Sequence, residues 1–228
     1  RVVVLNKSDL SDRAKLNKWI SYYQSKGIKA IPVDTLKGSG VNKIVEECKN
    51  VTKEMMDNLK AKGRTERAIR VMIVGVPNVG KSSLINKLTG RKSTQTGDRP
   101  GVTKGKQWVR LKGNLELLDT PGILWPKFED QKIALNLAFT RAIKDEILDI
   151  DTLGLKFIEK MSEIEPEKLK ARYKLDSLGE EPLETMEMIG RKRGFILGRN
   201  ELDYTRIAKT VLNEFREGKL GQITLEVP

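Results

Sequence analysis

The segment Gly75-Val-Pro-Asn-Val-Gly-Lys-Ser-Ser83 decides the fold of this chain. It matches G-x-x-x-x-G-K-[S/T], a pattern whose glycines allow a turn tight enough to point successive backbone N–H groups at a phosphate. The apolar run at residues 70–74 predicts a buried strand before it, and the residues up to Leu88 predict a helix after it. A strand, this loop and a helix in that order predict a phosphate-binding loop, called the P-loop below.

Two side chains of the P-loop have expected chemical roles. Lys81 is expected to reach the β- and γ-phosphate oxygens, and the Ser82 hydroxyl is a hard oxygen ligand suited to Mg²⁺. The residues of this loop that we expect to contact the nucleotide are Asn78, Val79, Gly80, Lys81, Ser82 and Ser83.

A second motif, Asp119-Thr-Pro-Gly122, ends the last predicted strand of this region. Asp119 is expected to hold Mg²⁺ through water, and the Gly122 N–H is expected to contact the γ-phosphate. The segment 91–105 between the two motifs has no apolar periodicity and predicts a mobile loop. Its candidates for a second hydroxyl ligand of Mg²⁺ are Thr94, Thr96 and Thr103. Thr103 is favoured because it follows a Pro-Gly pair.

The segment Asn6-Lys-Ser-Asp9 directly follows a predicted buried strand at residues 1–5. A carboxylate at Asp9 can accept from both N1–H and the exocyclic amine of guanine, whereas adenine has neither donor. Asn6 is expected to brace the loop and contact the ring edge, and the stem of Lys7 to cover the base. Asn6, Lys7, Ser8 and Asp9 are also good helix-capping chemistry, so a base site and a capping turn are equally supported on these residues alone. Together with the P-loop they favour guanine.

Residues 28–33 predict a second strand, and Asp34-Thr35 directly after it lies where a further loop could touch the base. Helices are predicted from Ser8 or Ser11 to about Lys26 and over residues 41–62. Strands at 107–111 and 115–118 complete the alternation of strands and helices. This alternation predicts a doubly wound α/β domain over residues 1–128.

The apolar spacing becomes helical from Asp130 onward, which predicts a small all-helical domain over residues 129–228. We place the boundary between the two domains near residues 127–130. The last helix carries one apolar face, with Asp203 as its expected cap and Gly218 as its expected end.

Composition limits the function classes. The 228 residues carry 43 Lys+Arg and 31 Asp+Glu, a net charge of +12, with one cysteine and no histidine. These counts exclude a disulfide framework and histidine-based zinc sites or acid–base catalysis within these residues, and they favour a reducing, cytoplasmic setting. No run of 18 apolar residues predicts a membrane helix. Residues 1–128 carry +15 and residues 129–228 carry −3, so the first domain suits a polyanion such as RNA, or is merely soluble.

The order of the motifs is unusual, because N-K-S-D precedes the P-loop and the P-loop precedes D-T-P-G. This order resembles that of the circularly permuted GTPases. The chain as a whole resembles the ribosome biogenesis GTPase A family. The segments that carry this resemblance are GVPNVGKSSLINKL (75–88), TGDRPGVTKGKQWV (96–109), LLDTPGILWPKFED (117–130) and RKRG (191–194). The resemblance implies a doubly wound P-loop GTPase sheet in circularly permuted order, followed by a small helical domain.

The resemblance also implies ligands and partners. Such proteins bind GTP or GDP and Mg²⁺, often with K⁺, and help the large (50S) ribosomal subunit and its precursors to mature by contacting ribosomal RNA. Asn78 matches the expected K⁺ ligand, although a turn former is the simpler interpretation. Asp34-Thr35 departs from the usual Asn-Ser of the family at the base-side loop.

Two expected parts of a GTPase are missing from the pattern. No strand is predicted to lie between the P-loop strand and the N-K-S-D strand, so we expect the native protein to supply one upstream of Arg1. Ile123 occupies the position where many GTPases place a water-orienting glutamine. The resemblance implies an upstream histidine in that role, and we expect slow hydrolysis that the ribosome accelerates.

Basic residues of the helical domain, and others close to Thr103, are candidates for contact with RNA phosphates, although charged outer faces are normal on amphipathic helices. The candidates are Lys104, Lys106, Arg191, Lys192, Arg193, Arg206, Lys209 and Arg216. On the last helix, Arg206, Lys209 and Arg216 are predicted to face away from the apolar stripe. The helical domain shows no aromatic interleaving suited to stacking on single strands.

These patterns favour a GTP-hydrolysing assembly factor in which Lys81, Gly122 and Thr103 act at the reacting phosphate. The alternative is a nucleotide-gated RNA-binding scaffold in which GTP occupancy, rather than hydrolysis, is the signal. A membrane-surface GTPase is disfavoured, because no basic amphipathic helix with bulky aromatics is predicted.

Overall fold

A computed structural model describes residues 1–64, 68–90, 108–111, 113–118, 130–143, 145 and 149–228. The chain divides into two compact units, residues 1–125 with 227–228 and residues 126–226. We call them the α/β unit and the helical unit. Their division lies close to the boundary expected from the sequence, while the assignment of a GTPase and an RNA-binding role to the two parts stays a prediction.

The described elements of the α/β unit alternate between strands and helices. They are β1 (Val2–Asn6), α1 (Arg13–Ser25), β2 (Lys29–Val33), α2 (Val41–Ala61), β3 (Ile69–Met72), α3 (Lys81–Thr89), β4 (Trp108–Leu111) and β5 (Leu115–Leu118). Strands β1 and β2 form a parallel pair, and the other three strands form a second sheet in the order β3-β5-β4. In that sheet β3 is parallel to β5, whereas β4 is antiparallel to it.

One core serves both sheets of the α/β unit. Its buried residues are Ile31, Val33, Val41, Ile44, Ile69, Leu84, Ile85, Leu88, Leu111, Leu115 and Leu117. Helix α2 packs against β1, β2 and β3, so a single helix covers parts of both sheets. No ladder joins the two sheets among the described residues, and the gap lies between the P-loop strand β3 and the N-K-S-D strand β1, where the sequence pattern predicts that a strand is missing.

Two strand predictions are wrong in detail. The strand expected at residues 70–74 is instead Ile69–Met72, and only Ile69 in it is buried, with Met72 and Val74 60% and 64% exposed. Strand β1 was expected to be buried and is half-buried along its length. Both strands are hydrogen-bonded on one side only in the described sheets, which leaves their other edges uncovered there.

Helix α1 begins later than the sequence predicts. Its N-cap is Asp12, whose side chain accepts from the Lys15 backbone N–H at 2.8 Å, rather than Ser8 or Ser11. The hydroxyl of Ser11 instead donates to the Ser8 carbonyl, so it is used inside the preceding turn. A charged acceptor at the cap also suits the positive end of the helix better than a hydroxyl does.

The helical unit contains five described helices around its own core. They are α4 (Gln131–Phe139), α5 (Ile150–Ile164), α6 (Pro166–Tyr173), α7 (Pro182–Arg193) and α8 (Tyr204–Arg216). Helices α5 and α8 form its main packing pair, with Phe157, Ile158, Val211 and Leu212 fully buried. The expected cap of the last helix is confirmed, because Asp203 accepts from the Arg206 backbone N–H at 2.9 Å.

Candidate nucleotide-binding site

The P-loop lies between β3 and α3, as the motif requires. Two of its residues have left-handed backbone conformations, Asn78 with φ 58° and Gly80 with φ 95°. Gly80 is the N-cap residue of α3 and has no side chain with which to cap the helix. The first N–H groups of α3 therefore receive no side-chain cap from the N-cap residue, as in an anion site at a helix N-terminus.

The side chain of Lys81 folds back across this loop. Its ammonium donates to the carbonyl oxygens of Gly75 at 2.8 Å and Val76 at 2.6 Å. Burial of this ammonium lowers the pKa of Lys81 from its ordinary value. A nearby anion would favour the charged form again, so the loop holds a cation whose charge a phosphate would stabilise.

The N-K-S-D segment lies against the P-loop although 73 residues separate them. The amide nitrogen of Asn6 donates to the Val79 carbonyl at 2.8 Å, and a Cβ atom added to Gly80 would overlap that same nitrogen. The other amide atom, Asn6 Oδ1, is buried and has no hydrogen-bond partner among the described residues. Asn6 therefore bridges the N-K-S-D segment and the P-loop through its amide nitrogen. Its amide oxygen stays a buried acceptor with no partner among the described residues.

The loop after β2 joins the same edge of the unit. The Ser8 N–H donates to the Val33 carbonyl at 3.1 Å, which ties this loop to the N-K-S-D segment. Asp34 and Thr35 are both buried, and the hydroxyl of Thr35 lies 3.9 Å from the place of a Cβ at Gly80. Loops that follow the carboxyl ends of β1, β2 and β3 therefore meet here, which is where open α/β sheets bind ligands.

The comparisons with known proteins agree with this geometry. The family model described as a 50S ribosome-binding GTPase matches residues 70–184. Ribosome biogenesis GTPase A of Bacillus cereus is 47% identical over all of this chain and 77% of that protein. The protein of the same name from Thermotoga maritima is 30% identical, again over all of this chain and 76% of its own length.

This chain belongs to the ribosome biogenesis GTPase A family.

Solved structures extend the likeness to the fold. The GDP-bound structure of YlqF from T. maritima has a TM-score of 0.68 and 26% identity, covering all of this chain and 83% of that one. A GNP-bound crystal structure of the same protein gives the same TM-score and identity and is covered to 81%. The α/β unit thus has the P-loop GTPase fold of this family.

Within this family fold, the structure brings together only part of the predicted nucleotide site. Asn6, Val79, Gly80 and Thr35 meet at one place, as described above. Lys7, Asn78 and Ser82 are exposed, whereas Ser8, Asp9 and Ser83 are half-buried in their loops. The remaining predicted residues of the site lie outside the described residues, namely Thr103, Asp119 and Gly122.

Asp34 has a structural contact that sequence reasoning missed. Its Oδ1 accepts from the backbone N–H groups of Leu36 and Lys37 at 2.9 and 3.0 Å, and its own N–H donates to the Ser39 carbonyl. This arrangement is an Asx turn, and an aspartate two residues before a polar, glycine-rich segment was the signal for it. One carboxylate oxygen of Asp34 therefore braces the loop, so a nucleotide contact through it stays a prediction.

The predicted orientation of Arg216 in the helical unit is wrong, while its contact with RNA stays a prediction. Arg216 does not face away from the apolar stripe: its side chain is 11% exposed and forms two 2.8 Å bonds with the carboxylate of Asp145. It also donates to the carbonyl oxygens of Ala138 and Phe139, the last residues of α4. Because an arginine can close off a helix C-terminus in this way, Arg216 has a structural role that occupies its guanidinium.

The other basic candidates divide into two groups. Arg193 contacts Glu214 at 3.1 Å and lies over the ring of Tyr173, and Arg206 lies over the ring of Phe195. Arg193 and Arg206 are nevertheless exposed, as are Arg191, Lys192 and Lys209. Lys104 and Lys106 lie outside the described residues.

The described residues contain neither a cluster of metal-ligating side chains nor a membrane-spanning helix. No group of three or more His, Cys, Asp or Glu side chains is placed to hold a metal ion there. None of the helices described is both long and apolar enough to cross a membrane.

Proposed function

We propose that this chain is a GTP-hydrolysing assembly factor that binds ribosomal RNA and promotes late maturation of the large ribosomal subunit, in the cytoplasm. The observation that carries the nucleotide part is the hydrogen bond from Asn6 to the Val79 carbonyl. It supports a single site in which the N-K-S-D segment holds the base and the P-loop holds the phosphates. Family membership and the names of the relatives support the ribosomal part.

Guanine is the base that this site suits. Asp9 would accept from N1–H and the exocyclic amine, and the buried, unpartnered Oδ1 of Asn6 offers one more acceptor close by. Adenine presents neither of the two donors at those ring positions, so it would leave the Asp9 carboxylate without partners. Lys7 would cover the base with its stem, while Ser8 and Thr35 shape the loops around it.

The described part of the phosphate site fits GTP and Mg²⁺. Ser82 is exposed at the start of α3, beside backbone N–H groups that no Gly80 side chain caps. Ser82 would hold Mg²⁺ together with Thr103, and with Asp119 through water, while Asn78 would bind K⁺. Bound Mg²⁺ supplies positive charge that offsets the charge on the β- and γ-phosphate oxygens.

Hydrolysis is the transfer of a phosphoryl group to water. In this reaction the residues of this chain mainly position the γ-phosphate and neutralise the charge on the phosphate oxygens. Lys81 would exchange its loop carbonyls for phosphate oxygens, and the Gly122 N–H would contact the γ-phosphate. Ile123, after the D-T-P-G motif, has no group that can orient a water molecule. We therefore expect slow turnover by these residues alone, and acceleration by the ribosome.

The fold is proposed to be circularly permuted. The family model begins at residue 70, just before the P-loop, and does not include the N-K-S-D segment at 6–9. The Asn6–Val79 bond nevertheless places that segment beside the P-loop. A base-recognition loop that precedes the P-loop in sequence but joins it in space is what permutation of a GTPase would produce.

Exchange of Asp9 for asparagine tests the base site. Asp9→Asn should weaken GDP binding about a hundredfold, because two hydrogen bonds to a charged acceptor are lost. It should strengthen binding of xanthosine diphosphate, since the asparagine amide can donate to the C2 carbonyl of xanthine. Asp57→Asn, on the exposed face of α2, is the matched control and should bind GDP as the wild type does. Unchanged preference of Asp9→Asn for GDP over ADP and XDP would refute the site.

A second candidate function is a nucleotide-gated RNA-binding scaffold. The apolar Ile123 favours it, since a protein that signals by occupancy does not need a water-orienting side chain. GTP turnover with and without large subunits separates the two, when release from the subunit is followed in the same single-turnover experiment. Release that follows hydrolysis supports the assembly GTPase, whereas release on exchange of a non-hydrolysable analogue for GDP supports the scaffold.

A further inference from the structure

Helix α1 contains three aromatic residues, although none of its residues is fully buried. Trp19, Tyr22 and Tyr23 lie in mutual contact, with ring centroids 5.5–6.0 Å apart. Tyr22 is 40% exposed, and the other residues of α1 are half-buried or exposed. Trp19 and Tyr23 are half-buried, whereas Tyr22 is exposed. Large aromatic side chains usually bury most of their surface in a core, so the exposed ring of Tyr22 indicates a binding surface.

Lysines alternate with these rings along one face of α1. Lys15, Trp19, Tyr22 and Lys26 follow each other at spacings of three and four residues, which places them on one side of a helix. Lys18 lies three residues after Lys15 and four before Tyr22, at the edge of the same side. The ammonium of Lys26 lies 5.7 Å from the centre of the Tyr22 ring. We call these five residues the α1 face.

The charge of this region selects the partner. Residues 13–33 contain five cations, Arg13, Lys15, Lys18, Lys26 and Lys29, and no Asp or Glu. A surface of this composition attracts a polyanion and repels a basic protein. An exposed ring between cations is the pattern by which proteins bind unpaired nucleic acid, because every base has a face on which a ring can stack. In this respect α1 differs from the sequence-based expectation that no basic helix carries bulky aromatics.

We propose that the α1 face is a binding surface for unpaired RNA, with Tyr22 stacking on a base and Lys18 and Lys26 contacting the phosphates on either side. Trp19 is a positioning residue, because its ring packs edge-on against Tyr22 and stacks against Tyr23. This surface is separate from the basic residues of the helical unit. It rests on the proposed function only in that RNA is the partner.

Fluorescence anisotropy with a labelled 12-nucleotide oligouridylate, read at several salt concentrations, tests the proposal on the full chain. Lys18→Gln with Lys26→Gln should lower the salt slope of log K by about 1.4, which is two phosphate contacts on a single strand. The matched control is Lys43→Gln with Lys53→Gln on the exposed face of α2, which should leave the slope unchanged. Equal effects of the two pairs would overturn the proposal.

The ring is tested separately. Tyr22→Leu should weaken oligouridylate binding about fivefold or more, whereas Tyr22→Phe should retain it, because stacking needs the ring and not the hydroxyl. Binding of a blunt RNA duplex should not respond to Tyr22→Leu. Wild-type GDP affinity in all variants establishes that they fold. Equal loss with Leu and Phe, loss on the duplex as well, or tighter binding to anionic phospholipid vesicles than to RNA would each overturn the proposal.

A measurement of binding to large ribosomal subunits distinguishes failure of the α1 proposal from failure of the proposed ribosomal function. If wild-type protein fails to bind subunits, the ribosomal function fails, while the oligouridylate result still decides the α1 face. If subunits are bound, and oligouridylate binding is lost with Arg191→Gln and Lys192→Gln but not with the α1 variants, the α1 proposal fails and the ribosomal function stands.

Discussion

Gly80 is the residue on which the candidate nucleotide site depends most directly. It combines a φ of 95°, which costs an L-residue about 1–2 kcal/mol, with contact to the amide of Asn6. Gly80→Ala should therefore push Asn6 off the Val79 carbonyl and weaken GDP binding at least tenfold. Gly27→Ala is the matched control, because Gly27 has φ 70° and nothing within 4 Å of an added Cβ. Titration of a fluorescent GDP derivative measures both, and equal affinities would show that the Asn6 contact is irrelevant.

Glu214 holds three helices of the helical unit together. Its carboxylate accepts from Arg172 of α6 at 2.6 and 3.0 Å, from the Tyr173 hydroxyl at 2.9 Å and from Arg193 of α7 at 3.1 Å. The hydrogen bond from Arg172 is the main cause that lowers the pKa of Glu214, while burial and this carboxylate raise the pKa of Tyr173. A carboxylate buried among these donors stabilises the fold only while it is charged.

Acid should therefore weaken the helical unit. Because the pKa of Glu214 is lowered on folding, its contribution is fully present above its ordinary pKa of 4.5 and is lost as pH falls through the lower folded value. Glu214→Gln should cost about 2 kcal/mol at pH 7, less than a fully buried pair because both arginines are about one-third exposed. It should also flatten the loss of stability below pH 4.5. Hydrogen exchange of α6–α8 peptides between pH 3.5 and 7 measures this, and an unchanged pH slope in Glu214→Gln would contradict it.

At the scale of the element, two glycines differ in what limits the packing of their helices. At Gly154 the limit is the backbone of the neighbouring helix, and at Gly190 it is a side chain that can move. A Cβ on Gly154 of α5 would overlap Ala208 of α8, including its Cα at 2.7 Å, whereas a Cβ on Gly190 of α7 would first meet the end of the Ile207 side chain. Backbone cannot move aside, so Gly154→Ala should destabilise by about 2–3 kcal/mol. Gly190→Ala should cost less than about 1 kcal/mol, because alanine's higher helix propensity offsets part of the strain. Urea unfolding of both variants measures the difference, and equal costs would contradict the packing argument.

The elements show which parts of the fold the sequence could predict. Helices α2 and α8 are confirmed to within about two residues, because their apolar periodicity and caps are local signals. The exposure of β1 and β3 could not be predicted from their apolar composition, since it depends on which strands pair beside them. The burial of Arg216 could not be predicted either. Its position in the helical pattern indicates exposure to solvent, whereas its contacts with Asp145 and the end of α4 depend on how the helices pack.

The candidate site was predictable in its motifs but not in its contacts. The P-loop and N-K-S-D are recognised by spacing, and the order of strands suggests that they meet. That Asn6 bridges to Val79 depends on side-chain packing between segments far apart in sequence. The Asx turn of Asp34 is local, so its turn residues could have indicated it. The exposure of Tyr22 on α1 could not be predicted either, because helical spacing alone does not distinguish a buried stripe from an exposed one.

At the scale of the whole molecule, the described residues form two cores, one in each unit, that have no residue in common. The α/β core centres on Val33, Leu84 and Leu117, and the helical core on Phe157, Met161 and Ile207. The described contacts of the candidate nucleotide site all belong to the α/β unit. Damage to the helical core should therefore leave the nucleotide site intact, since no shared core transmits the change.

Gly154→Ala provides the test of this independence, because its clash lies wholly between α5 and α8. The variant should bind GDP within about twofold of wild type, while its helical unit unfolds at lower urea than before and its binding to large subunits weakens in proportion. Hydrogen exchange resolves the two units in one sample: amides of α5 and α8 should exchange faster, and amides of α3 should not. Faster exchange in α3, or a GDP affinity that falls with the stability of α5, would mean that the two units fold as one and that nucleotide binding depends on both.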